Sequence, residues 1–137
     1  SFKKPRLYLK VKNTSPYSFV AGNVYIYKFG IFAGSDIISY TPRNCSFELE
    51  VGYAFDIIVE REEVVIEQNE TGRNISVRIN ITNKDISPFD TLVEETVRDK
   101  LTDLGNFDQM DSILTARFTL DSGASKLLWY CVWRANN

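Results

Sequence analysis

Residues Arg73–Asn83 read Arg-Asn-Ile-Ser-Val-Arg-Ile-Asn-Ile-Thr-Asn, with Ile75, Val77, Ile79 and Ile81 alternating against Ser76, Arg78, Asn80 and Thr82. A period of two over eight residues predicts a strand with one buried and one wet face. All four apolar positions are β-branched, which suits a pleated surface and disfavours a helix. Asn-x-Ser/Thr triplets begin at Asn69, Asn74 and Asn80, on or beside the polar row. The stretch therefore predicts an antiparallel sheet packed on one side and an exterior able to carry sugar.

Outward from this stretch the same rhythm recurs. Arg6–Asn13 sets Leu7, Leu9 and Val11 against Tyr8, Lys10 and Lys12, then ends in the turn cluster Asn13-Thr-Ser-Pro16. Val24–Phe29 is a strand by composition, with Gly30 and Gly34 bracketing a hairpin corner before Asp36–Tyr40. Cys45–Val51 points Cys45, Phe47, Leu49 and Val51 inward, and Phe55–Glu60 and Val64–Ile66 follow as two short strands. Beyond the central stretch, Ser112–Leu120 alternates again, and Lys126–Arg134 is apolar on both faces. That last strand is either doubly covered or meets a partner.

Asp90–Leu104 carries two patterns. Val93, Val97, Leu101 and Leu104 fall at helical spacing behind a Thr91-x-x-Glu94 capping box, whereas Thr91–Asp99 also reads as an edge strand before an irregular loop. Gly105–Asp111 reads as loop. Turns about every ten residues predict an all-β chain, an antiparallel immunoglobulin-like β-sandwich of about seven to nine strands forming one domain over 1–137.

Composition excludes several functions. The chain has 137 residues, a net charge of −2 and a pI near 5.2, so it lacks the cationic surface a nucleic acid requires. Its only basic cluster is Lys3-Lys4-Pro5-Arg6, and no apolar run reaches the ~18 residues of a membrane span. Opening on Ser1 suggests a processed form or an excised domain. Histidine is absent, which removes Ser-His-Asp and Cys-His catalysis and imidazole metal sites. Cys45 and Cys131 are too few for a cysteine-only zinc site and are expected to pair as a disulfide in an oxidising compartment.

Five triplets fit the glycosylation pattern, starting at Asn13, Asn44, Asn69, Asn74 and Asn80, where chance predicts roughly one. Pro16 follows the first triplet. The excess points to a secreted or cell-surface glycoprotein.

Taken together, the segments resemble a known arrangement. "KVKNTSPYSFVAGNVYIYKFGIFAGSD", "TPRNCSFELEVGYAFDIIVERE", "ISVRINITNKDISPF" and "FTLDSGASKLLWYCVWR" are similar to successive strands and turns of the C-terminal β-sandwich domain of unknown function in mucoidy-inhibitor-A-like proteins. Ala21 stands where that pattern has a turn proline, and Arg43-Asn44-Cys45 stands where it has Pro-Gly-Glu. The resemblance implies a β-sandwich, and it implies a strand over Asp90–Asp99. It carries no catalytic signature.

The acidic group Glu60, Glu62, Glu63 and Glu67 is the best arrangement for paired-carboxylate chemistry, yet it reads more simply as a solvated strand edge. Asp85, Asp90 and Asp121 lack calcium-loop spacing, and Tyr25, Tyr27, Trp129 and Trp133 are either core or a sugar-stacking platform. The expectation is a non-catalytic module without cofactor or metal. It would act as a structural or adhesive subunit of a filament, surface layer or virion, self-associating or joining another surface protein by strand pairing. The alternative is a monomeric ligand- or receptor-binding domain that takes a glycan or protein partner.

Overall fold

The computed structural model describes residues 5–28, 30–54 and 56–136. The basic pair Lys3-Lys4 lies outside the described residues, as do Phe29, with which one expected strand ends, and Phe55, with which another begins. The protein is all-β: eleven antiparallel strands and no helix among the described residues. They fall into two compact units, one ending at the linker near residue 55 and the other running from Asp56 onward.

The N-terminal unit holds β1 (Arg6–Lys12), β2 (Gly22–Lys28), β3 (Ile31–Ile38) and β4 (Ser46–Tyr53). β1 pairs with β4 and β2 with β3, giving two two-stranded sheets. A Phe19–Phe47 edge contact at 6.1 Å and buried Leu49 and Ile38 make up its small core. Two buried apolar side chains among the described residues are few for four strands. Correspondingly, Tyr8, Leu9, Tyr25, Tyr27, Ile31, Phe32 and Ile37 are all exposed.

The C-terminal unit holds β5 (Ile57–Gln68), β6 (Gly72–Asn83), β7 (Phe89–Thr96), β8 (Lys100–Asp103), β9 (Asp108–Met110), β10 (Ile113–Leu120) and β11 (Ser125–Ala135). Its sheets are ordered β5-β6-β11-β8 and β7-β10-β9. β6 lies between β5 and β11, and its alternating isoleucines meet apolar partners of the same face: Ile79 opposite Leu128, Val77 opposite Tyr130, Ile75 opposite Val132. Those six side chains are each 3 % exposed or less. Cross-strand pairs of this type stabilise a sheet by roughly 0.2–1 kcal/mol each, beyond the area they bury. Leu114, Leu120 and Ala116 of β10 complete the core.

The structure refines several expectations. The polar row of β6 is only partly wet: Ser76 is buried and Arg78, Asn80 and Thr82 are half-buried. The two short segments 57–60 and 64–66 are one twelve-residue strand, β5, with a bulge near Ile66. Asp90–Leu104 contains no helix. β7 alternates half-buried and exposed residues with period two, because its pairing with β10 outweighs the local helical spacing. Gly105–Asp111, read as loop, includes the short strand β9. The Cys45–Cys131 bridge is not formed. Cys131 is buried in β11 opposite Ser76, Cys45 is exposed in the other unit, and both are free thiols.

Candidate functional site

Both units are built around one asparagine. Asn13 follows β1 and is completely buried; its Nδ2 donates to the carbonyls of Tyr17 (2.8 Å) and Thr41 (3.1 Å), and its Oδ1 accepts the Ser15 N–H. Asn83 ends β6 and is also completely buried; its Nδ2 donates to the carbonyls of Ser87 (2.8 Å) and Leu120 (2.9 Å), and its Oδ1 accepts the Asp85 N–H. The offsets within the turn are identical: two residues on for the N–H, four residues on for the carbonyl.

The main chain repeats the match. Asn13 N–H donates to the Cys45 carbonyl and its own carbonyl accepts from Asn44 N–H; Asn83 N–H donates to the Ala124 carbonyl and its carbonyl accepts from Gly123 N–H. Asn44 (φ 64) and Gly123 (φ 76) both adopt the left-handed conformation that such a corner requires. Phe19 and Phe89, each six residues past its asparagine, pair with Thr41 and Leu120, the residues whose carbonyls take the amide. Strand for strand, β1, β2, β3 and β4 correspond to β6, β7, β10 and β11. The two units are two versions of one module.

The versions differ at their edges. In the C-terminal unit β5 pairs with the β6 edge and β8 with the β11 edge. Beyond β8 the Asn106 side chain extends the pairing, its Nδ2 donating to the Leu127 carbonyl and its Oδ1 accepting the Trp129 N–H. Among the described residues of the N-terminal unit, β1 and β4 pair only with each other. Among the described residues, the outer edge of β1 therefore has no strand partner, and neither has the outer edge of β5, the first strand of its sheet.

The strands bearing these edges differ in charge. On β1, Lys10 and Lys12 are exposed and Arg6 pairs with Glu50 at 2.9 Å. On β5, Glu60, Glu62 and Glu67 are exposed, and Glu63 reaches Arg134 at 3.1 Å. Arg134 also binds Asp99 at 2.9 Å, and these two bonds hold its guanidinium more firmly charged than usual. Further inside, Arg61 of β5 donates from Nε to Glu95 of β7 at 2.8 Å. Burial works against the Arg61 charge, but Glu95 more than offsets it. Burial, then the nearby Glu95 charge, raises the Tyr130 phenol pKa.

The expected sugar acceptors occupy different environments. Asn44 and Asn69 are exposed in turns, Asn69 also accepting from the Thr71 hydroxyl at 2.7 Å. Asn74 and Asn80 lie half-buried within β6. Asn13 is interior, with both amide hydrogens committed, so a glycan there would disrupt the corner. Tyr25 and Tyr27 are exposed on β2, and Tyr27 packs edge-on against Phe32 at 5.8 Å; Trp129 and Trp133 lie on the outer row of β11 in the other unit. Among the described residues no three acidic or cysteine side chains gather as a metal site, and no helix is long and apolar enough to cross a membrane. An open depression lies at Leu101–Leu104.

By sequence, Asn13 reads as a turn residue and sugar acceptor, and Asn83 stands out for neither. The shared Asn-x5-Phe spacing at 13–19 and 83–89 was the signal available. No protein-family model, curated protein or solved structure matches this chain.

Proposed function

We propose that the chain is a non-catalytic β-sandwich module, immunoglobulin-like in arrangement, that serves as a structural or adhesive subunit of an assembly outside the cell. The edges of β1 and β5, which have no strand partner among the described residues, carry this reading, since an unpaired edge can take a strand from a neighbour. The exposed acceptors Asn44 and Asn69 support a secreted or cell-surface location with attached glycans. The resemblance to the β-sandwich domain of mucoidy-inhibitor-A-like proteins supports the architecture and leaves the role to the edges. The absence of histidine in the sequence favours binding over catalysis.

A second reading is favoured by one observation. Tyr25, Tyr27 and Phe32 are exposed on one hairpin, the aromatic surface a monomeric ligand- or receptor-binding domain would use for a glycan or protein. Intact mass and sedimentation of protein from its native source separate the two. Added hexose masses with species larger than a monomer support the assembly subunit. A glycosylated monomer at all concentrations favours the binding domain, and a bare monomer overturns the extracellular location.

A further inference from the structure

We propose that copies of this chain join head to tail, the β1 edge of one copy adding antiparallel to the β5 edge of the next. The inference rests on the assembly reading above and specifies its contact. The internal duplication supplies the first argument: β6, the counterpart of β1, takes an antiparallel strand on the edge that does not face β11, and that strand is β5. The module accepts a neighbour at this position, and in the N-terminal unit no strand among the described residues fills it.

Charge selects the occupant. Pairing β1 with a second β1 would set Lys10 and Lys12 against the same lysines, and pairing β5 with β5 would set glutamates together; like charges directly opposed destabilise a sheet. β1 against β5 reverses the sign. In an antiparallel register with Lys10 opposite Glu62, Lys12 falls opposite Glu60, because both pairs are two residues apart on their strands.

The faces agree as well. On β1 the row Arg6, Tyr8, Lys10 and Lys12 is exposed, while Leu7 and Val11 on the other row are half-buried with Leu9 exposed between them; on β5 Glu60 and Glu62 are exposed, while Ile57 on the other row is buried and Arg61 half-buried. The register that pairs lysine with glutamate therefore also aligns the less exposed rows with each other. Since the two edges are different surfaces, the contact is heterologous and repeats into a ring or a filament.

Sedimentation velocity over a concentration series tests this with two charge-reversal variants, K10E/K12E and E60K/E62K, each checked for β-structure by circular dichroism. All four positions are exposed, and the circular dichroism check covers the two reversals that set like charges across a strand pair, Lys10 opposite Glu48 and Glu62 opposite Arg78. Wild type is expected to form species larger than a monomer, less so at high salt. Each variant alone is expected to associate at least tenfold more weakly, because its two edges now carry the same sign. An equimolar mixture is expected to recover association, since each variant's β1 then meets an oppositely charged β5. Wild-type assembly that both variants retain, or variant losses that mixing does not recover, would overturn the β1–β5 contact and leave the assembly reading standing. A wild type that stays monomeric at every concentration would overturn both.

Discussion

Asn13 and Asn83 lie in different halves of the chain and make the same five hydrogen bonds, two from Nδ2, one to Oδ1 and two through the main chain. Replacing either with alanine removes three side-chain bonds, of which the one to the Thr41 or Leu120 carbonyl is buried and the others are part-buried. A buried polar group left unpaired costs about 1–3 kcal/mol, so Asn83→Ala is expected to lose about 1–3 kcal/mol of the C-terminal unit's stability. Asn13→Ala should unfold the thin N-terminal unit and leave the C-terminal core protected. Hydrogen exchange of Leu49 and Val77 amides in the two variants would show whether the losses are separate.

The corners of the two modules should be exchangeable. Gly123 has open space around a notional Cβ, and Asn44 already holds the same left-handed backbone as a side-chain-bearing residue. Gly123→Asn is expected to cost less than about 1 kcal/mol and Asn44→Gly to be near neutral, whereas Gly123→Val should cost more because a β-branched residue strains at positive φ. Urea midpoints of the three variants check the order.

Gly105 is a different case. It is left-handed (φ 59), and a Cβ there would run into the Trp129 main-chain carbonyl. Gly105→Ala is expected to push the 104–107 segment off β11 and break both Asn106 contacts, at a cost of several kcal/mol. Trp129 fluorescence should report the displacement, and an unchanged spectrum and midpoint would contradict it.

Asp36 sets an acid limit on the N-terminal unit. Its carboxylate accepts the Glu50 N–H of β4 (3.0 Å) and then its neighbour Ile37 N–H (2.8 Å), which lowers its pKa. A carboxylate with a depressed folded pKa binds protons more readily when unfolded, so its stabilisation is present above about pH 4 and lost as pH falls through the lower folded value. Asp36→Asn should melt below wild type at pH 6, and the gap should narrow as pH falls below about 4. A gap independent of pH would exclude the mechanism.

Tyr130 sets the alkaline counterpart. Burial and then Glu95 raise its phenol, so its stabilisation persists below the unfolded value near pH 10 and is lost as pH climbs through the folded one. Tyr130→Phe is expected to flatten the alkaline fall in stability, measured as urea midpoints at pH 8 and pH 11, while changing the pH 8 value by about 1 kcal/mol or less.

Strand placement was legible wherever alternation was long. Arg6–Asn13, Arg73–Asn83 and Lys126–Arg134 lie within a residue or two of β1, β6 and β11. Orientation was partly legible: Ile75, Val77, Ile79 and Ile81 do face the core, but the partial cover over Ser76, Arg78 and Asn80 depends on tertiary neighbours that periodicity does not encode. β5 was split in two because Arg61-Glu62-Glu63 looks like a turn; Arg61 is held in the strand by Glu95, thirty-four residues away. The module repeat was hidden because it resides in hydrogen-bond geometry. Only the asparagine and the phenylalanine six residues later survive as a shared pattern, and the unequal excursions before Thr41 and Leu120 obscure the rest.

The sandwiching of β6 has a consequence during synthesis. β5 emerges one tight turn ahead of β6, but β11 is translated about forty residues after β6 ends. At roughly 5–20 residues per second, Ile75, Val77, Ile79 and Ile81 wait some seconds without Leu128, Tyr130 and Val132. The β5–β6 hairpin is thus the nascent segment most in need of a chaperone, and a ribosome stalled before Ser125 would release an aggregating fragment. β1 also waits for β4, with thirty-three residues between them, but it holds a shorter apolar row, Leu7, Leu9 and Val11.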